Sequence, residues 1–273
     1  MDGSTINTKR EKGAALDQDL IITKDHSTAT ITMNRPKVNN ILTGSMYKGL
    51  TQSLYDLDRE DEISVIVLRG AGERAFCAGS DVKDFLDKTV LERQKHFGYV
   101  AELMQAPSRI GKPVIAAVKG YAFGGGCALA AACDLTIATE NSDMGMPEME
   151  IGLFPMTIVP VIVRRIGVHK AFELIMLGEK FKGRKAAELG LINKAVPENE
   201  FEEEVSRWAA KLATRSPVAA RMGKVAFYNS LDIEYCKAIK FMGNMMALNA
   251  SSEDGAEGIS AFLEKRKPRW LNR

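Results

Sequence analysis

Gly120-Tyr-Ala-Phe-Gly-Gly-Gly-Cys-Ala-Leu-Ala-Ala-Ala-Cys-Asp134 decides how the rest of the chain is read. Three consecutive glycines end an apolar strand, Pro113 to Val118, and open a helix of small residues. No β-carbon crowds the backbone there, so N–H groups can approach a ligand closely. The start of a helix adds unpaired donors and a partial positive charge. Together these make a fixed receptor for a negative oxygen. The same three glycines also fit a flexible turn, and short glycine motifs discriminate weakly between the two.

A second segment has the same design. Arg74-Ala-Phe-Cys-Ala-Gly-Ser-Asp-Val-Lys83 follows the strand Ile63–Leu68 and the turn Gly70-Ala-Gly72, and it leads into a helix expected to start near Asp81. The chain thus carries two strand–glycine–helix junctions, one at Gly79–Ser80 and one at Gly124–Gly126. At one edge of one sheet, their N–H groups would converge on one oxygen.

With these two segments in place the chain resembles the crotonase (enoyl-CoA hydratase/isomerase) superfamily, over about Ile21 to Trp270. Six motifs stand in family order. Asn34-Arg35-Pro36 comes first, then Phe76 to Lys83, then Lys112-Pro113 with Gly120 to Asp134. Met146-Pro-Glu-Met-Glu-Ile-Gly152, Leu189-Gly-Leu-Ile192 and Glu257 to Lys265 complete the series. The resemblance implies an α/β fold, a spiral of ββα units with a C-terminal helical oligomerisation region.

Composition sets outer bounds. A chain of 273 residues, 45% hydrophobic and 26% charged, can bury a large core. A net charge of +2, without a basic–aromatic cluster, argues against nucleic acid or an anionic membrane as main partner, although RNA binding occurs in the superfamily. No segment approaches the roughly 20 apolar residues of a membrane span. The four cysteines (Cys77, Cys127, Cys133, Cys236) form no CxxC pair and are expected as buried free thiols. His26, His96 and His169 are scattered, which speaks against a metal site. Residues 1–18 are polar, lack the apolar run of a secretory signal and are expected as a loose extension of a cytoplasmic enzyme.

Periodicity supplies the coarse elements. Leu20–Thr23 and Thr28–Met33 are expected as a strand pair turning at Lys24–Ser27. Met46, Leu50, Leu54 and Leu57 mark a helix over Ser45–Leu57. A helix over Asp84–Ala106, a strand over Val114–Val118, the helix from Gly125 and a strand over Leu135–Ala138 follow. This alternation predicts a layered α/β core over residues 19–200. The later chain is mostly helical, with amphipathic stretches at Phe201–Ala213 and Pro217–Tyr228. Ile233–Ala250 is Met-rich (Met242, Met245, Met246) and reads as core packing, or else as a subunit contact. By resemblance, residues 201–273 build a homotrimer, or a hexamer made of two trimers.

The resemblance also implies a site. The substrate is an acyl-CoA thioester; no further cofactor is implied, because coenzyme A arrives as part of the substrate. Chemistry beside a thioester carbonyl puts negative charge on its oxygen, and the N–H groups of Ser80 and Gly125 match the donors that stabilise it. Glu148 matches an acid–base glutamate, and its neighbours Met144, Met146, Met149, Ile151, Leu153 and Phe154 predict a raised pKa. Glu150, two residues on, would share its side on an extended segment, but it is the weaker candidate and a solvated or salt-bridged role suits it better. Ala78, Lys83, Phe262 and Lys265 match positions that reach coenzyme A, the last two sometimes from a neighbouring subunit. Lysines at such positions are also commonly a solvated basic surface. Acyl selectivity falls to Val82–Val100 and Leu153–Val161, where Leu153-Phe-Pro-Met-Thr157 predicts a bulkier pocket wall.

One position departs from the pattern. Ala128 stands where common hydratases of the superfamily carry a second glutamate, so ordinary two-carboxylate hydration is in doubt. A single carboxylate suffices for double-bond isomerisation, or for hydration in which other groups hold the water. Asp134 and Asp143 remain as further acids, Asp134 also reading as a cap or turn residue. A catalytically impaired CoA-binding oligomeric scaffold is the alternative. A dinucleotide-binding reading fails, because Gly124-Gly125-Gly126 does not have the GxGxxG spacing.

Overall fold

The computed structural model describes residues 18–273. The expected extension over residues 1–18 lies, but for Gln18, outside the described residues. The first strands are β1 (Leu20–Asp25) and β2 (Thr28–Met33), followed by helix α1 (Gly44–Arg59). Three ββα units come next: β3 (Val65–Gly70), β4 (Ala75–Cys77) and α2 (Val90–Arg109); β5 (Val114–Val118), β6 (Tyr121–Phe123) and α3 (Gly125–Ala132); β7 (Leu135–Thr139), β8 (Asp143–Gly145) and α4 (Val159–Leu177). The chain continues through β9 (Phe181–Lys182), α5 (Gly183–Glu188) and β10 (Lys194–Val196) into α6 (Phe201–Ala213), α7 (Pro217–Ser230), α8 (Tyr235–Ala250) and α9 (Glu253–Leu263).

Each unit sends its first strand to one sheet and its second to another. A six-stranded sheet has the order β1-β2-β3-β5-β7-β10 and a four-stranded sheet the order β4-β6-β8-β9. Pairing is parallel except for β1 with β2 and β8 with β9. The chain therefore winds as a spiral of ββα units.

The larger sheet is covered on both faces, which explains why β3 and β5 read as unbroken apolar runs. Side chains alternate across a strand. Ile66, Leu68, Val114, Ala116 and Val118 join the main core beneath α1, α2 and α3. Val65, Val67, Ile115, Ala117 and Ile137 face the other way and are covered by Phe201, Val205 and Ala209 of α6. Burying each large aliphatic side chain contributes roughly 1.5–3 kcal/mol relative to exposure. All eight residues of α3 are buried, which its small side chains permit in the centre of the molecule.

Three expectations are corrected. The helix expected from Asp81, over Asp84–Ala106, is two elements: a single 3-10 turn, Val82–Phe85, and then α2. Asp81 caps only the short turn, by accepting from Lys83 N–H at 3.2 Å. Asp87 takes a left-handed φ of 50°, and a capping box between Thr89 and Glu92 starts α2 afresh. The Met-rich helix α8 is not core: it has no buried residue, and Met246 and Leu248 are exposed. Cys236 is exposed, while the other three thiols are buried as expected.

The C-terminal helices are tied to the sheet through Asp134. Its carboxylate accepts from Val114 N–H at 2.7 Å, from Lys224 Nζ at 2.6 Å and from the Tyr228 hydroxyl at 2.8 Å. The Asp134 and Lys224 side chains are 12% and 9% exposed. Removing one partner of a buried pair strands the other charge, at a cost of about 3–5 kcal/mol. Asp134→Ala is therefore expected to lose about that much stability in urea unfolding; a loss below about 1 kcal/mol would show that α7 does not depend on this anchor.

Candidate active site

The two glycine junctions meet. After β4, Ala78 N–H donates to Asn39 O at 3.0 Å, and Gly79 turns the chain at φ +98°, a conformation side chains disfavour. The backbone of Leu42 clamps the turn on both sides: Leu42 N–H donates to Gly79 O at 2.8 Å, and Asp81 N–H donates to Leu42 O at 2.9 Å. Between them, Ser80 N–H has no acceptor among the described residues. After β6, Gly124 sits at φ 54°, ψ −122°, and Gly125 is the first residue of α3, so its N–H has no partner within the helix.

Steric facts fix the convergence. A β-carbon on Gly79 would lie 3.6 Å from Gly125 N, and one on Gly125 would lie 3.7 Å from Ser80 Oγ. A β-carbon on Gly126 would lie 2.0 Å from Cys77 O, an impossible contact, so the third glycine lets α3 start against the end of β4. A β-carbon on Gly124 would meet Glu148 Oε1 at 2.7 Å. The Glu148 carboxylate thus borders the same junction.

Glu148 reaches this place from the single 3-10 turn Pro147–Ile151 that follows β8. Its Oε2 is buried with no hydrogen-bond partner. Burial raises its pKa above the ordinary glutamate range, and its own backbone N–H offsets part of the rise. The expected direction is right, but its expected source is only partly so. Met149, Ile151, Leu153 and Phe154 are exposed, while Met144 and Met146 lie in the core. The turn replaces the extended segment on which Glu150 would have shared the side of Glu148, and leaves Glu150 to the solvated role expected of it. Residues two apart on a 3-10 turn point to different sides, and Glu150 is exposed.

The remaining candidates divide by place. Ala78 and Lys83 flank Ser80 within the first junction, Lys83 exposed. Phe262 on α9 is 82% exposed, and Lys265, also exposed, follows that helix; α9 packs against α7 and α8, so the single chain does not bring this pair to the junctions. Ala128 is fully buried on α3, one turn beyond Gly125, and presents only a methyl group. Asp134 serves as the anchor described above, and Asp143 pairs with Lys182 at 2.7 Å. Among the described residues no group of three or more His, Cys, Asp or Glu is placed to hold a metal ion. Val82, Leu86, Leu153, Phe154 and Met156, on segments next to the two junctions, are exposed apolar residues.

Sequence reasoning missed Tyr47. It follows Met46 on the buried face of α1, and its hydroxyl lies 2.6 Å from Ser80 Oγ. A β-carbon on Gly125 would lie 3.0 Å from the same hydroxyl. The apolar stripe of this helix is read from Met46, Leu50, Leu54 and Leu57, and Tyr47 is given no part in it. The available signal was its polar tip, since a buried tyrosine hydroxyl usually finds a partner.

Two mostly parallel sheets wound by ββα units, with two glycine junctions meeting beside a buried carboxyl, define the crotonase class of folds. The sequence model described as enoyl-CoA hydratase/isomerase matches residues 23–273, and the chain belongs to that family. It is 32% identical over 251 residues to the short-chain-enoyl-CoA hydratase of Clostridium acetobutylicum, covering 91% of this chain and 96% of that one. It is 34% identical over 244 residues to a probable mitochondrial enoyl-CoA hydratase of Dictyostelium discoideum, covering 89% and 87%. The crystal structure of an enoyl-CoA hydratase from Bacillus anthracis superposes with a TM-score of 0.89 at 30% identity, covering 94% of this chain and all of that one.

The raised pKa of Glu148 carries a stability consequence. Below the unfolded-state pKa the group is neutral in both states and nothing is lost. As pH rises towards the folded value, the unfolded chain ionises first and is favoured. Glu148→Gln is therefore expected to raise the thermal midpoint at pH 7, with the gain vanishing near pH 4. An equal gain at both pH values would refute a desolvated carboxyl.

Proposed function

We propose that the protein is an acyl-CoA enzyme of the enoyl-CoA hydratase/isomerase type that works through a thioester enolate. The observation carrying this reading is the meeting of the Ser80 and Gly125 junctions beside the buried carboxyl of Glu148. The two N–H groups would bind the thioester oxygen as it gains charge, with donors already in place and no reorganisation needed. Glu148 would be the single acid–base group. In isomerisation it takes a proton from the α carbon and returns it at the γ carbon as the double bond moves. In hydration, water gives its oxygen to the β carbon and a proton reaches the α carbon through Glu148.

Coenzyme A would bind along Ala78 and Lys83, with Phe262 and Lys265 supplied by a neighbouring subunit. The exposed faces of α8 and α9 support a homotrimer or a pair of trimers built on residues 201–273, working in the cytoplasm. Among the described residues no helix is long and apolar enough to cross a membrane. Ala128 is the observation favouring the second reading, a CoA-binding scaffold without catalysis.

Assays on crotonyl-CoA and on a 3-enoyl-CoA, following the conjugated thioester absorbance, separate these readings. Absorbance falls in hydration and rises in isomerisation. Glu148→Gln is expected to lower the rate on whichever substrate reacts by at least about a hundredfold. A wild-type protein that binds acyl-CoA but turns over neither substrate is the scaffold; full activity in Glu148→Gln removes the glutamate from the mechanism.

A further inference from the structure

We propose that the paired hydroxyls of Tyr47 and Ser80 form the second polar arm of the site, holding the water that adds at the substrate's β carbon in place of a carboxylate at residue 128. The proposal rests on the enolate reading above and deepens it.

Three observations carry it. The Tyr47 hydroxyl reaches the junction from α1, an element that contributes no other group there, and lies 2.6 Å from Ser80 Oγ. The pair brackets Gly125: a β-carbon on that glycine would be 3.0 Å from the Tyr47 oxygen and 3.7 Å from the Ser80 oxygen. The Glu148 carboxylate stands next door, its Oε1 2.7 Å from the corresponding position on Gly124 and its buried Oε2 without a partner. Two hydroxyls and one unsatisfied carboxyl oxygen therefore border the start of α3.

The chemistry of the pair suits water. Two hydroxyls sharing one hydrogen bond leave one O–H free, whichever of them donates. The Tyr47 phenol is held protonated chiefly by burial, with the bond to Ser80 offsetting a part. It is a neutral donor, not a base. A water accepting the free O–H keeps its second lone pair for attack and can donate a hydrogen to Glu148. The step balances: the new C–O bond at the β carbon uses the water lone pair, and the π electrons pass to the thioester as enolate. The water's O–H bond breaks towards Glu148, which then returns that proton to the α carbon. A carboxylate at residue 128 is not required, because proton transfer and water orientation fall to different groups.

The test separates water addition from enolate formation. Tyr47→Phe keeps the ring and removes only the hydroxyl; Ser80→Ala removes only the side-chain oxygen and keeps the N–H. Two rates are measured for each: hydration of crotonyl-CoA, and exchange of the α hydrogen of butyryl-CoA in D2O, which needs no added water. Tyr47→Phe is expected to lose about a hundredfold in hydration and no more than about threefold in exchange, with Ser80→Ala losing about tenfold and threefold. Circular dichroism and thermal midpoints confirm folding. Parallel loss of both rates overturns the proposal, since it marks a structural or enolate-binding role. No loss of either also overturns it, as does a wild-type enzyme that isomerises but never hydrates. Glu148→Gln in the same assays isolates the underlying reading: unimpaired exchange there sinks the enolate mechanism itself, whereas abolished exchange with an unaffected Tyr47→Phe sinks only this inference.

Discussion

The end of β4 and the start of α3 approach more closely than any side chain allows. A β-carbon on Gly126 would sit 2.0 Å from the Cys77 carbonyl oxygen. That contact brings a strand of the smaller sheet against the helix of the next unit, and both glycine junctions depend on it. A helix buried on every side must be built from small residues, and α3 is. The Gly-Gly-Gly and the alanines after it therefore answer one constraint, the placement of a helix start inside the molecule. The same burial keeps water from competing for the donors at that helix start.

The surroundings of the junctions are electrically quiet. Burial pushes the Cys77 and Cys127 thiols up to about 12, so both are neutral neighbours. Tyr47 is held neutral by the same cause. Glu148 is the ionisable acid drawn in beside them, and burial disfavours its charge. The other candidate acids are already paired. Asp143 is committed to Lys182, and Asp134 to Lys224 and Tyr228.

Much of this was legible in the chain. The two strand–glycine–helix junctions, the core strands and helices α1, α6 and α7 follow from periodicity and glycine placement, because those signals are local. Boundary errors fell where short polar elements intervene. Asp87, Lys88 and Thr89 split a helix that apolar spacing had joined, since a capping box outweighs a weak periodic signal. Glu148 was found from its motif, yet the apolar surroundings assigned to it came partly from sequence neighbours that face solvent. Its carboxylate borders the Gly124 junction, distant in sequence, and no local pattern encodes that contact. The Met-rich α8 left core packing and a subunit contact both open for the same reason: composition shows that a face is apolar, not what covers it.

Tyr47 marks the boundary of local reading most sharply. On α1 it occupies a position where an aliphatic residue would satisfy the helix equally well, and nothing nearby in sequence asks for a hydroxyl. The demand comes from across the fold, where Ser80 presents an oxygen at 2.6 Å. A buried phenol without that partner would leave a polar atom unsatisfied, at a cost of about 1–3 kcal/mol. The serine and the tyrosine are therefore each explained by the other, while Ala128 on α3 contributes only packing. On the proposed mechanism the two facts are linked. When the carboxylate on α3 is absent, the polar contribution to the site shifts to α1, and it changes in kind from a charged base to a neutral donor. Such an exchange lowers the electrostatic cost of the buried site, since one carboxyl in place of two removes a like-charge repulsion that would raise both pKa values further.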